Sequence, residues 1–244
     1  MTVSIIILAY NQHEVTAECL RSIREHTTDY EIILVDNGSS PPIEDVGSVL
    51  IRNEENIGFP KAVNQGIDIS TGEYIVLLND DTIVTEGWLD HLKAHLEDFD
   101  IVGPMTNYAA GEQRIALPFY GDDEGLNKVA TQYHLENREK ATEVNFIMGL
   151  CMLFKRSLFD TLGPMDESLW PCSGEDIDYC FRARGMGLRV GIAKDVYIHH
   201  FGSQTLNDMS NKKVVDYVEL CERNDKHLAS KWGEGFWEKQ KVSS

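Results

Sequence analysis

Long hydrophobic runs are missing from this sequence. Nowhere do its residues approach the roughly 18 consecutive apolar positions of a membrane-spanning helix, so no transmembrane segment is expected. The opening Met-Thr-Val-Ser leads straight into a strand-like run without a basic n-region or cleavage site, which predicts a cytoplasmic location. Cysteine is scarce. Cys19, Cys151, Cys172, Cys180 and Cys221 are odd in number and show no CxxC spacing, which argues against a disulfide framework and against a zinc site. Net positive charge is lacking as well. A formal charge of −18 disfavours nucleic acid and anionic membrane surfaces as partners, because both are repelled. A phosphorylated substrate would then need a cation bridge or local Arg and Lys. No GxGxxG follows the first strand, which weakens a dinucleotide-binding reading, and no GxxxxGK closed by Ser or Thr occurs, which excludes a P-loop. Internal repeats, low-complexity tracts and a convincing linker are absent too.

What is present is an ordinary globular balance, 42% hydrophobic and 25% charged over 244 residues, enough for one large α/β domain or two small ones. The organising stretch is Tyr74-Ile75-Val76-Leu77-Leu78-Asn79-Asp80-Asp81-Thr82. Its apolar run suits a strand buried on both faces, as in a parallel sheet. Ligands of open α/β sheets collect beyond the carboxyl ends of the strands. Asp80 and Asp81 at that edge suit a hard divalent cation, which prefers carboxylate and phosphate oxygens. The competing reading is a polar turn before a helix at Glu86-Gly87-Trp88.

Other strands end in the same way. Val3 to Ala9 stops at Tyr10-Asn11, and Glu31 to Val35 stops at Asp36-Asn37-Gly38-Ser39-Ser40. Helical spacing through Val15, Cys19, Leu20 and Ile23 lies between them, giving a βαβ unit. Val49 to Arg52 reads as a third strand and Lys61 to Ile69 as a helix with Ala62, Val63 and Ile67 inward. After a helix over Leu89 to Phe99 and a short strand at Ile101 to Pro104, Asn107 to Asn145 reads as a polar, partly helical excursion over the site. Core resumes over Phe146 to Phe154. A second acidic focus, Gly174-Glu175-Asp176-Ile177-Asp178, opens a helix, where acids also simply complement the macrodipole. Leu188 to Ala193 and Val196 to His200 read as two strands, the second ending in His199-His200. Asn211 to Trp232 reads as an amphipathic helix packing on the domain.

Taken in order, Ala9-Tyr10-Asn11, Val35-Asp36-Asn37-Gly38-Ser39, Asn56-Ile57-Gly58-Phe59 through Ala62, Asn64 and Gly66, Asn79-Asp80-Asp81, Gly174-Glu175-Asp176 and His199-His200-Phe201-Gly202-Ser203 resemble the family 2 glycosyltransferases of GT-A fold. The likeness runs from Val3 to about Ser203, with a faint echo from Asn224 to Gly233. It implies an α/β, Rossmann-like, mainly parallel central sheet flanked by helices in a single domain. Residues 1–205 would form the transferase domain, with 1–105 the nucleotide-sugar-binding half and 106–205 the acceptor and catalytic half, and residues 206–244 a helical tail.

The resemblance also implies an inverting, metal-dependent transfer of a sugar from a nucleotide-sugar to an acceptor hydroxyl, on a polysaccharide, a lipid-linked sugar or a protein glycan. UDP-, dTDP- and GDP-linked donors stay open, and an acceptor on a lipid leaves room for peripheral membrane contact. Asn79-Asp80-Asp81 is similar to the DxD-type motif, with Asp81 the ligand of Mn²⁺ or Mg²⁺ and Asp80 near the ribose or metal. Ala9, Tyr10, Asn11, Asp36 and Asn37 match the donor-binding positions, and Gly58, Phe59 and Asn64 the elements that shape the donor pocket. Asp176, with Glu175 beside it, matches the base, expected to stay ionised at the start of its helix. His199, or else His200, matches an additional metal ligand; alternation along a strand lets only one reach. The rivals are a nucleotidyltransferase, which would show a Gly-rich basic loop after the first strand, and a catalytically silent sugar-nucleotide-binding relative.

Overall fold

The computed structural model describes residues 2–118, 121–202 and 216–239. Strand β1 (Val3–Ala9) lies at the centre of the amino-terminal half, parallel to β2 (Tyr30–Asn37) on one side and to β4 (Tyr74–Asn79) on the other. Helix α1 (His13–His26) crosses from β1 to β2, and α2 (Phe59–Ile69) from β3 (Val49–Asn53) to β4. These strands carry apolar side chains on both faces, and their period of two sorts them. Ile6, Ile33, Val35 and Leu77 point into the core shared with Ala62, Val63 and Ile67 of α2. Ile5, Ile7, Leu34 and Leu78 point into the core shared with Cys19, Leu20 and Ile23 of α1. Full burial of each such side chain contributes about 1.5–3 kcal/mol. Helix α2 approaches β1 closely because Gly66 faces it; a Cβ there would stand 2.5 Å from Cγ2 of Ile6.

The complete sheet has eight strands in the order β3-β2-β1-β4-β8-β6-β9-β7. It adds β6 (Ile101–Met105), β7 (Ala141–Val144), β8 (Cys151–Lys155) and β9 (Val190–Tyr197). Only β8 and β7 run against the rest, so the sheet is mainly parallel, flanked by helices, in an α/β domain. A separate two-stranded ribbon pairs β5 (Thr82–Ile83) antiparallel with β10 (His199–His200), Thr82 opposite His200. Helix α3 (Trp88–Ala94) seals the sheet with Trp88 and Leu92.

Two expectations change here. Residues 188–200 hold one long strand, β9, followed by a two-residue strand, rather than two strands divided at Lys194-Asp195. The polar pair does not break β9 because Asp195, 4% exposed, is satisfied in place: Oδ1 lies 2.6 Å from Nε2 of His95, and Oδ2 accepts from the Glu139 amide at 3.0 Å. The excursion after β6 is also more integrated than its polarity suggests. Helix α4 (Asp123–Asn137) buries Leu126 and Ala130, and β7 pairs with β9. Helix α5 (Arg156–Leu162) follows β8, α6 (Glu175–Gly185) follows a long turn, and α7 (Tyr217–Trp232) begins at Asp216, whose side chain accepts from the Val218 and Glu219 amides. The part of the C-terminal helix expected over residues 211–215, and Ser203, lie outside the described residues. No helix among the described residues is long and apolar enough to cross a membrane.

Candidate active site

Because β1, β2 and β4 run parallel, their polar ends reach one edge of the sheet, where a cleft of about 640 Å³ opens. It is lined by Leu8, Tyr10, Asn37, Asn56, Phe59, Asn79, Asp80 and Asp81 together with Tyr108 to Ala110, Arg114, Met148 to Leu150, Pro171 to Asp176 and His200. Both acidic foci of the sequence therefore meet in one place.

Asp80 is held from behind, its Oδ2 accepting from Oγ1 of Thr16 on α1 at 2.9 Å. Burial, and then the Asp81 charge, push its carboxyl up to about 8. The β5–β10 ribbon brings His200 beside Asp81, with Nε2 3.0 Å from Oδ1. Nδ1 of His200 lies 2.8 Å from the carbonyl oxygen of Tyr108. A carbonyl only accepts, so Nδ1 carries a proton, and Nε2, facing the Asp81 carboxylate, is the ring nitrogen whose proton a bound cation would displace. Nε2 is buried without a well-formed hydrogen bond. Burial alone would lower the pKa of His200, but the Asp81 carboxylate outweighs it and raises it.

This pair fits a divalent cation. Around an octahedral ion bound at 2.0–2.1 Å, neighbouring ligand atoms stand about 3 Å apart. A histidine ligand also usually donates its other ring N–H to a carbonyl or carboxylate. Among the described residues, no group of three or more His, Cys, Asp or Glu side chains converges as a complete metal cage. Two protein ligands would leave the remaining positions of a Mg²⁺-type ion to water and substrate phosphate.

At the head of α6, Oδ2 of Asp176 accepts from the Gly149 amide at 2.7 Å and Oδ1 from the Ile177 amide at 2.8 Å. Gly149 permits this close approach; a Cβ there would stand 3.0 Å from Cβ of Asp176. Burial raises the pKa of Asp176, against the expectation that a helix start keeps it low; the amides offset part of the shift. Glu175 is pushed up to about 8, by burial and then by Asp176, and its Oε2 is buried without a hydrogen-bond partner.

Some expected site residues stand outside the wall of the cleft: Ala9, Asn11, Asp36, Gly58, Asn64 and His199. Asp36 is fully buried, with Oδ1 accepting from the Ser39 amide, Oδ2 from the Ile43 amide, and Arg52 paired to it. Burial favours its neutral form, but these partners outweigh that and hold its pKa below the usual range. Asn64 bonds both backbone groups of Met165, at 2.9 and 3.1 Å. Asn11 accepts from the Ser40 amide, and His199 sets its ring edge against Phe201. Of the pair at Asp36 and Asn37, only Asn37 faces the cleft; its Nδ2 donates to Oδ1 of Asn56 at 2.9 Å. Sequence reasoning missed Tyr108, Gly149 and Arg114. Arg114 is the one Lys or Arg in the described wall. Buried Gln113 holds its turn by donating to the Pro104 carbonyl and accepting from the Met148 amide. A glycine interrupting the Phe146 to Phe154 core run was the available signal for Gly149; nothing in the excursion singled out Arg114.

A mainly parallel sheet with an acidic, nucleotide-sized cleft at its strand ends is the GT-A arrangement, and solved structures share it. The chain superposes on GalNAc-T7, solved with UDP, GalNAc and Mn²⁺, with a TM-score of 0.63 at 17% identity, over 82% of this chain and 43% of that one. The mannosyltransferase PcManGT of Pyrobaculum calidifontis, solved with GDP-Man and Mn²⁺, gives a TM-score of 0.59 at 21% identity, over 81% and 56%. The family model described as glycosyl transferase family 2 matches residues 4–163, and the chain belongs to that family. It is 28% identical over 175 residues to the glycosyltransferase GlyG of Streptococcus pneumoniae serotype 4, over 65% of this chain and 58% of that protein. The chain thus spans little more than half the length of that relative. The family match stops short of Glu175, Asp176 and both histidines.

Proposed function

We propose that the protein transfers a sugar from a nucleotide-sugar to an acceptor hydroxyl with inversion, assisted by Mn²⁺ or Mg²⁺. The observation that carries this reading is the convergence, in one cleft, of the Asp81–His200 pair with the Glu175–Asp176 pair. The residue set divides by chemistry. Tyr10, Asn37, Asn56 and Phe59 offer an aromatic and amide surface for the nucleoside, and Asp81 with His200, rather than His199, would hold the cation beside Asn79 and Asp80. When bound, that cation neutralises charge on the diphosphate leaving group. Asp176 takes the proton of the acceptor hydroxyl as its oxygen bonds to the anomeric carbon; the bond to the diphosphate breaks and its electron pair leaves on the phosphate oxygen. A base with a raised pKa is a stronger proton acceptor, which suits Asp176 to a hydroxyl.

Residues 1–105 make up the donor half in this reading, residues 106–205 the acceptor and catalytic half, and residues 206–244 a C-terminal tail whose described helix, α7, packs on the domain. UDP-, dTDP- and GDP-sugars are the donor classes to examine, and polysaccharide, lipid-linked and protein-linked glycans the acceptors. A cytoplasmic location, with peripheral membrane contact for a lipid-linked acceptor, belongs to the same reading. Family membership sets the nucleotidyltransferase alternative aside. The test is release of nucleoside diphosphate from a panel of UDP-, dTDP- and GDP-sugars, with Mn²⁺ and with chelator. One donor class turned over only with the cation is expected. Tight nucleotide binding without turnover, across donors and acceptors, would instead mark a silent binder.

A further inference from the structure

We propose that Asn224 of α7 is a positioning residue for the Glu175–Asp176 carboxylates, so that the C-terminal helix takes part in catalysis. The proposal rests on the transferase reading above and deepens it. Asn224 is 1% exposed and both ends of its amide are committed. Nδ2 donates to the carbonyl oxygens of Cys172 and Ser173 at 2.8 and 2.9 Å. Oδ1 accepts from Nε and Nη2 of Arg223 at 3.1 and 2.8 Å. A guanidinium only donates, so Arg223 fixes which end of the amide faces the loop. Arg223 also donates to the Trp170 carbonyl, two residues before Cys172.

The loop so held is the one that aims the carboxylates. Ser173 has φ +85° and Gly174 φ +98°, both in the left-handed half of the map, and α6 starts at the next residue. A serine leaves that region readily unless its surroundings hold it there. Leu228, one turn beyond Asn224 on the same face of α7, closes over Gly174, where a Cβ would stand 2.5 Å from its Cδ1. A hydrogen-bond clamp and an apolar stop from one helix therefore fix the turn from which Glu175 and Asp176 project. Relaxing Ser173 would redirect the chain two residues before Glu175, and displacement of about 1 Å at such a site costs up to about 10²-fold in rate.

The test uses Asn224→Asp, which keeps shape and packing but removes the donor, together with Asn224→Ala and Ser173→Gly, alone and combined. Transfer kcat and KM, melting temperature, and backbone hydrogen exchange over residues 172–178 are measured on each. Asn224→Asp is expected to lower kcat per folded molecule by about 10- to 100-fold. Donor KM should change little, and exchange should quicken over residues 172–178 but not in β1 or β2. Glycine adopts positive φ without strain, so Asn224→Ala should lose less kcat in the Ser173→Gly background than alone. Wild-type kcat per folded molecule with unchanged exchange in both Asn224 variants would overturn the proposal. So would a kcat loss matched by loss of folded protein. Absence of transfer by the wild-type protein would instead remove the transferase reading, and the exchange data would still decide whether Asn224 holds the turn.

Discussion

At the scale of single residues, the site depends on which side chain faces which atom. Asp81→Ala and His200→Ala should each weaken Mn²⁺-dependent binding of a nucleoside diphosphate, while His199→Ala should do much less, because only His200 stands in the wall beside Asp81. Calorimetry with and without Mn²⁺ reads this directly, and a loss confined to His199→Ala would reverse the assignment. Asp176→Asn should lower turnover by roughly 10²–10⁴-fold, the usual contribution of a positioned base, with donor affinity nearly unchanged. A fully active variant would shift the role to Glu175. For Glu175 itself the sign follows from its buried carboxyl, raised to about 8. The folded state holds the proton that the unfolded chain gives up near the ordinary value, so this group favours folding at low pH. That contribution fades as pH rises towards 8. Glu175→Gln should therefore melt higher than wild type at pH 8 and show little difference at pH 4, as scanning calorimetry at the two pH values would show.

At the scale of elements, packing sets where the strand ends come to rest. Gly66→Ala puts a methyl 2.5 Å from Cγ2 of Ile6 and should force α2 away from β1. Overpacking of this kind costs about 1–3 kcal/mol, visible as a lower denaturant midpoint at unchanged slope. Since α2 begins at Phe59 in the cleft wall, nucleotide affinity should fall with stability. Helix α4 makes the opposite point about reading sequence. Its apolar face is narrow, with Leu126 and Ala130 the buried residues, and much of its docking is polar. Nδ1 of His134 sits 3.1 Å from the Asp195 carbonyl, and its ring stacks on His91 at 3.6 Å. Polar docking leaves no hydrophobic period, so the sequence suggested a partly helical excursion without showing that it packs on the sheet.

At the scale of the whole molecule, a charge of −18 works against a substrate that carries a diphosphate. Nucleoside diphosphate alone should therefore raise the melting temperature little, and with Mn²⁺ much more. At a hundred times its dissociation constant a ligand adds about 2.7 kcal/mol of stability. A thermal-shift comparison of nucleotide with Mn²⁺, nucleotide with chelator and Mn²⁺ alone checks this; equal shifts with and without the cation would remove it from the site.

Local sequence is enough to specify the strands and their polar ends. A buried parallel strand needs an unbroken apolar run, and Val3 to Ala9, Glu31 to Val35 and Tyr74 to Asn79 each declare theirs locally. Adjacent parallel strands then bring their ends together, which is why Tyr10, Asn37 and Asp81 were legible as neighbours. Tertiary structure alone decided the rest, because each remaining choice rests on contacts between distant parts of the chain. Pairing of Thr82 with His200 selects one histidine of two. Arg52 and the Ser39 and Ile43 amides draw Asp36 away from the cleft. Asp195 crosses a polar gap by meeting His95, 100 residues earlier in the chain. Asn224 reaches back 51 and 52 residues to the Ser173 and Cys172 carbonyls. Hydrogen bonds of this kind have no period and no run length, so they become visible only when the chain has folded.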